Sequence, residues 1–184
     1  MNSWGEAGPP DDAYGRVTDA ARFAPLHDIA RDVLDDLARR YRVSREEFTD
    51  DDGNGDLPAP GILLTPTDPA AAPLAVVFTA FPGLIGRMGA GCGFILPMCG
   101  CDACDETVDD CAERLHARLD ALVAGTFGAR LVSSGGWWHE AWYRTSDGAS
   151  ESGRVLVAGD ELASLRSVMP TGELRYAPWQ VRLH

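Results

Sequence analysis

The chain lacks any apolar run approaching the roughly 20 residues needed to span a bilayer, so neither a membrane-spanning helix nor a membrane partner is expected. It also lacks a basic patch. Sixteen basic residues face 28 acidic ones, a formal net charge of −12. Such a field repels phosphate backbones and argues against a nucleic-acid partner. Residues 1–10 hold neither a basic segment nor an apolar stretch, so no signal peptide is expected and the expected location is cytoplasmic. No phosphate loop, dinucleotide fingerprint or Gly-x-Ser-x-Gly elbow occurs, which removes the commonest nucleotide and hydrolase signatures. Histidines number only four, and the five cysteines are odd in count and clustered. That is not the paired framework of a small secreted disulfide domain.

At 184 residues with 45% apolar content, the chain is long enough for one domain with a substantial core. Two stretches carry a helical stripe. In 25–41 the apolar positions are Leu26, Ile29, Ala30, Val33, Leu34, Leu37, Ala38 and Tyr41, with Pro25 suited to the first helical position. In 105–124 they are Val108, Cys111, Ala112, Leu115, Leu119, Leu122 and Val123, with Asp102 or Asp105 as cap and Gly125 as stop. Extended segments are expected at 62–65, 74–81, 84–88, 94–98, 129–132, 137–144, 154–158 and, interrupted by Pro178, at 174–183, with a short helix at 160–168. Alternation in Trp137–Arg144 predicts a sheet with one face on the core. The fold class is therefore α+β: an antiparallel sheet of about five to six strands with the two main helices packed on one face. Residues 1–12 are expected to form an irregular arm, with Trp4 docking on the body, and 44–60 a solvated acidic loop.

Inside that loop, Asp50-Asp51-Asp52-Gly53-Asn54-Gly55-Asp56 imitates the first half of a calcium loop. The twelfth position is Gly61, where a bidentate glutamate is required, so calcium binding is not expected.

The most chemically specific stretch is Cys99-Gly100-Cys101-Asp102-Ala103-Cys104, feeding the second helix. Cys-x-Cys-x-x-Cys brings three sulfurs together on a tight turn. Structural zinc takes four ligands, so a fourth must come from elsewhere. Cys111 is too far along the helix, about 10.5 Å from Cys104 at 1.5 Å per residue. Cys92 and His139 are the better candidates. Two other readings stand beside zinc: three reduced cysteines packed on a turn, and a redox or nucleophilic thiol at Cys101 or Cys104, where a helix start lowers a thiol pKa. Asp102, Asp105 and Glu106 oppose the last by placing negative charge around the thiols. Trp137, Trp138 and Trp142 are read as core or as an aromatic ligand platform, and His139 as a structural histidine or, paired with Cys104, a base.

Several blocks carry a resemblance. They are Tyr14-Gly15-Arg16-Val17-Thr18, Arg22-Phe23-Ala24-Pro25-Leu26-His27, Phe78-Thr79-Ala80-Phe81-Pro82-Gly83-Leu84, the run from Cys99 to Glu106, the neighbourhood of Trp138-His139-Glu140, and Tyr176-Ala177-Pro178-Trp179. Together the chain resembles an uncharacterised family of small actinobacterial proteins, a domain of unknown function. The resemblance implies no activity, cofactor or catalytic residue. It does not extend to 89–93 or Cys111, which weakens Cys92 as a ligand. The favoured expectation is a non-enzymatic module with a structural, zinc-binding cysteine turn (Cys99, Cys101, Cys104 and His139), meeting a protein or small-molecule partner near the tryptophan strand. The alternative is a thiol- or metal-dependent enzyme, redox or hydrolytic, using Cys101 and Cys104.

Overall fold

The structure, a computed structural model, describes Trp4 and residues 8–51, 58–145, 148 and 150–183. Helix α1 (Pro25–Arg40) opens on Pro25, whose missing N–H is no loss in the first turn. Asp28 near its start and Arg39 and Arg40 at its end complement the helix dipole. Helix α2 (Val108–Ala124) begins at the first residue of its apolar stripe, after the expected start at Asp105. Its cap is Thr107 rather than Asp102 or Asp105. The Thr107 hydroxyl accepts from the Asp110 N–H at 3.1 Å, and the Asp110 carboxylate accepts from the Thr107 N–H at 2.9 Å. This reciprocal capping box satisfies two orphan donors at once. Asp105 instead takes a left-handed conformation, φ 50°, closing a single 3-10 turn at Asp102–Cys104. Gly125, φ 65°, ends α2. Leu34 and Leu115 are each 1% exposed, as both stripes require.

The class is α+β and the named strands pair antiparallel, but they divide into two sheets. Strands β1 (Val43–Asp51), β2 (Pro58–Pro66), β3 (Leu74–Phe78), β4 (Leu84–Met88) and β5 (Cys92–Leu96) pair in sequence order. After α2 come β6 (Phe127–Ser133), β7 (Trp137–Arg144), β8 (Ser150–Val157), helix α3 (Gly159–Val168) and β9 (Glu173–Arg175), forming a sheet in the order β8-β7-β6-β9. Ile62, Leu64, Leu74, Val76, Leu84 and Leu96 of the first sheet are buried in one cluster with Leu26, Leu34 and Leu37 of α1 and Leu115, Leu119 and Leu122 of α2. The helices thus pack against the sheet. From the second sheet, Phe127 and Ala129 join the same cluster.

Three expectations change. The stretch 44–60 is not one acidic loop, because residues 43–51 form β1, paired with β2 from Val43↔Pro66 to Asp51↔Pro58. Six of its nine residues are exposed, so no alternation of burial marks it. It is a charged edge strand, which resists pairing with other chains. Asp52, Asn54 and Asp56 of the calcium-like pattern lie outside the described residues, and Asp50 is ion-paired to Arg87 on β4. Within residues 1–12, Asp11 and Asp12 begin a 3-10 turn that buries Ala13. Finally, 174–183 is not one strand. After β9 the chain crosses to the first sheet, where Trp179 Nε1 donates to Ala72 O at 2.9 Å and Arg182 Nε to Tyr41 O at 2.7 Å. Pro178 has no N–H to continue a ladder.

Aromatic rings lie over glycines on neighbouring strands. Phe48 covers Gly61, Phe94 covers Gly86 and Trp142 covers Gly128, each pair directly opposite in register. A Cβ on Gly86 would sit inside the Phe94 ring, which is only 7% exposed. Gly86→Ala is therefore expected to destabilise by about 1–3 kcal/mol through overpacking. Gly153→Ala, where an added Cβ meets nothing within 4 Å, should be near neutral. Urea denaturation of both variants checks the contrast, and equal midpoints would refute it.

Candidate metal centre

Strand β5 delivers the cysteine turn. The chain leaves it through a cis Leu96–Pro97 bond, passes Met98, and is then gripped from two sides. On the α2 side stands Glu106, only 7% exposed. Its carboxylate accepts from the backbone N–H groups of Met98 (3.2 Å) and Cys99 (3.0 Å), from the Cys111 thiol (3.5 Å) and from Arg114. On the other side is the segment before α1. Asp102 accepts from the Thr18 N–H (3.0 Å), the Thr18 hydroxyl (3.1 Å) and Arg16 Nε (3.0 Å), and its own N–H donates to Arg16 O (2.8 Å). Arg22 Nη2 donates to Gly100 O at 2.9 Å. Phe81 lies so close over Gly100 that an added Cβ would be 2.6 Å from its ring.

Held this way, the three sulfurs converge. Cys99 Sγ is 3.1 Å from Cys101 Sγ, which is 3.4 Å from Cys104 Sγ. All three lie within 4.8 Å of one another, a group that could hold a metal ion. Cys101 is buried, Cys99 half-buried and Cys104 exposed, so the cluster opens to solvent at Cys104. None is in a disulfide. The Cys101 thiol is lowered to about 6 by the adjoining Cys99 and Cys104 thiols and the Gly15 N–H, whereas Cys104 is pushed up to about 12 by its two sulfur neighbours. A divalent cation would displace the thiol protons on binding. Two of the three carboxylates that argued against a thiolate are ion-paired, Asp102 with Arg16 and Glu106 with Arg114.

None of the candidate fourth ligands belongs to the group. Cys111 is bonded to Glu106, and burial foremost pushes its thiol up to about 12. Cys92, raised to about 11 by burial, contacts Gly128 O at 3.7 Å. It sits at the start of β5, four residue steps or about 13 Å of strand from Leu96. His139 lies against the neighbouring Gly91, whose Cβ, if it had one, would be 2.7 Å from Nε2. It faces the wrong end of β5 to complete a metal site or to pair with Cys104.

The tryptophans are neither simple core nor a bare platform. Arg166 lies over Trp137 at 4.3 Å, Arg154 over Trp138 at 4.8 Å, and Arg130 and Arg175 flank Trp142 at 5.9 and 5.8 Å. Sequence reasoning missed Arg16, Thr18 and Arg22 as the clamp, and Glu106 as a buried acceptor. The one available signal was that Arg16, Thr18 and Arg22, like the cysteines, lie in blocks that carry the resemblance.

A family model covers residues 1–183, and it describes a family of unknown function (DUF6226). The chain belongs to that family. No curated protein and no solved structure matches it. In this DUF6226 chain the cysteine turn is the sole group of three or more metal-ligating side chains among the described residues.

Glu106→Gln should destabilise by about 1–3 kcal/mol, because a neutral amide cannot serve all four donors; chemical denaturation at neutral pH measures it. A second expectation concerns His139, whose pKa burial lowers from 6.5, with Glu161 of α3 opposing. Above pH 6.5 the ring is neutral in both states and its contribution is intact. As pH falls below 6.5 the unfolded chain takes up a proton that the folded chain resists, so stability declines. In His139→Phe that part of the decline should vanish in melts collected across the same pH range; an unchanged slope would refute the assignment.

Proposed function

We propose that this chain is a binding module whose cysteine turn holds one zinc ion as a three-thiolate centre, with the fourth position left to an external ligand. The observation that carries the reading is the convergence of three sulfurs within 4.8 Å on a turn whose backbone is held by Glu106 and whose Asp102 is held by Thr18 and Arg16. Sulfurs about 3.8 Å apart suit tetrahedral zinc with Zn–S near 2.3 Å, and the Cys99–Cys101 and Cys101–Cys104 separations need open only slightly. The fourth position faces solvent at Cys104, where a partner's thiolate, imidazole or carboxylate can reach it. An open position is also what catalytic zinc uses. The two carboxylates fixed at the turn, Asp102 and Glu106, have their oxygens engaged, so neither is poised as a general base. This favours binding over hydrolysis. Thiols kept reduced for zinc suit the cytoplasm.

A second reading is a redox pair. It is favoured by the 3.4 Å Cys101–Cys104 separation. Closing that disulfide would release two protons and two electrons, the electrons passing to a disulfide oxidant of the glutathione class.

Protein purified without chelator is expected to carry about one zinc per chain. Cobalt substitution should give thiolate-to-metal charge-transfer absorption that is lost in Cys99→Ser and Cys104→Ser. Removing the metal should lower stability, since binding is coupled to the fold. If elemental analysis finds no metal and all three thiols react freely in the native protein, the zinc reading is wrong. A reversible Cys101–Cys104 disulfide at a cytosolic potential would then favour the redox pair.

A further inference from the structure

The largest unexplained polar feature lies away from the cysteine turn. His139, near the middle of β7, is only 6% exposed, and its Nε2 has no hydrogen-bond partner among the described residues. An unpaired buried polar atom is destabilising until something bonds it. This one lines a cleft of about 310 Å³ between the β4–β5 turn and the facing strands β7 and β8. That volume is at the lower end of small-molecule sites. Two glycines shape it. Gly91 leaves room for the imidazole, and Gly153 on β8, where an added Cβ meets nothing within 4 Å, leaves the mouth open. Met88, Phe127 and Trp142 supply apolar wall, and Val155 stands 52% exposed beside them.

The polar groups of the cleft are unevenly spent. The Glu151 oxygens are both engaged, one by Arg118 Nη2 at 3.2 Å and the other by the Tyr143 hydroxyl. The Cys92 thiol donates to Gly128 O. Arg118 is 7% exposed and makes two hydrogen bonds among the described residues, to Glu151 and to Arg114 O. A guanidinium has five N–H donors. What remains is buried donor capacity: the rest of the Arg118 fork, and His139 in its Nε2–H tautomer. Acceptor oxygens on an anionic group match both.

We propose that this cleft binds a small carboxylate bearing an apolar group, with the carboxylate received by His139 and Arg118 and the apolar part lying on Met88 and Phe127. The site is separate from the cysteine turn and does not rest on zinc. Glu151 bonds Arg118, and Glu161 acts electrostatically on His139. The discrimination follows from the donors: an anion is received by the free N–H groups of Arg118 and His139, while a cationic ligand is repelled by the Arg118 guanidinium.

The test is a titration of the full chain with phenylacetate, followed by tryptophan fluorescence and by NMR of the His139 ring nitrogens. Phenylacetamide, phenethylamine and acetate are the controls. Saturable binding of phenylacetate that moves the His139 resonances is expected, with each control at least about tenfold weaker. His139→Phe should weaken phenylacetate about tenfold or more, the loss of one buried hydrogen bond. Gly153→Leu keeps both donors but fills the mouth, and should abolish binding; it decides the matter alone if His139→Phe does not fold. No saturation in the parent chain, equal binding of the amine, or binding undiminished in Gly153→Leu would each overturn the proposal.

Discussion

The Glu106 carboxylate stands in the wall of the core with donors from two directions: the backbone of Met98 and Cys99 beyond β5, and Cys111 and Arg114 one and two turns into α2. A buried carboxylate is tolerable only when its oxygens are satisfied, so these four groups cannot drift apart without leaving a charge uncompensated. The start of α2 is thereby tied to the end of β5. From there the Leu115, Leu119 and Leu122 stripe seats on the first sheet, and Arg118, between the stripe positions, reaches Glu151 on the second. The same grip turns the Cys99 N–H toward Glu106 and leaves the three sulfurs to meet one another.

Both main helices were legible because their signal is local. Stripe, proline, glycine stop and dipole charges all lie within a few turns of one another. The division into two sheets was not, since each expected strand is equally compatible with either neighbour set. β1 was hidden because an edge strand with solvent on both faces has no period to read; its anchor is Phe48 over Gly61, a contact invisible until register is known. The convergence of Cys99, Cys101 and Cys104 followed from spacing alone. The misplacement of His139 had a different cause. Nothing in the sequence says which end of β5 His139 meets, and the structure sets it against Gly91.

All sixteen basic residues are arginine, and the structure uses what distinguishes arginine from lysine. Its flat guanidinium lies on Phe78, Phe94 and Tyr143 and on the three tryptophans of β7. Such stacking keeps a cation hydrated on one face while it covers a ring on the other. This is how β7 carries three half-buried indoles, Trp138 and Trp142 on one face of the sheet and Trp137 on the other.

The clamp on the cysteine turn joins residues 84 to 86 positions apart. At about 5–20 residues per second, roughly 4–17 s of synthesis separate Arg16 from Asp102. The order matters more than the delay. Gly15, Arg16, Thr18 and Arg22 leave the ribosome before any of the three thiols exists, so the sulfurs emerge toward a partner already made. A circular permutant opened between Phe23 and Pro25 would reverse this: the thiols would be translated first and would wait, uncovered, for their clamp.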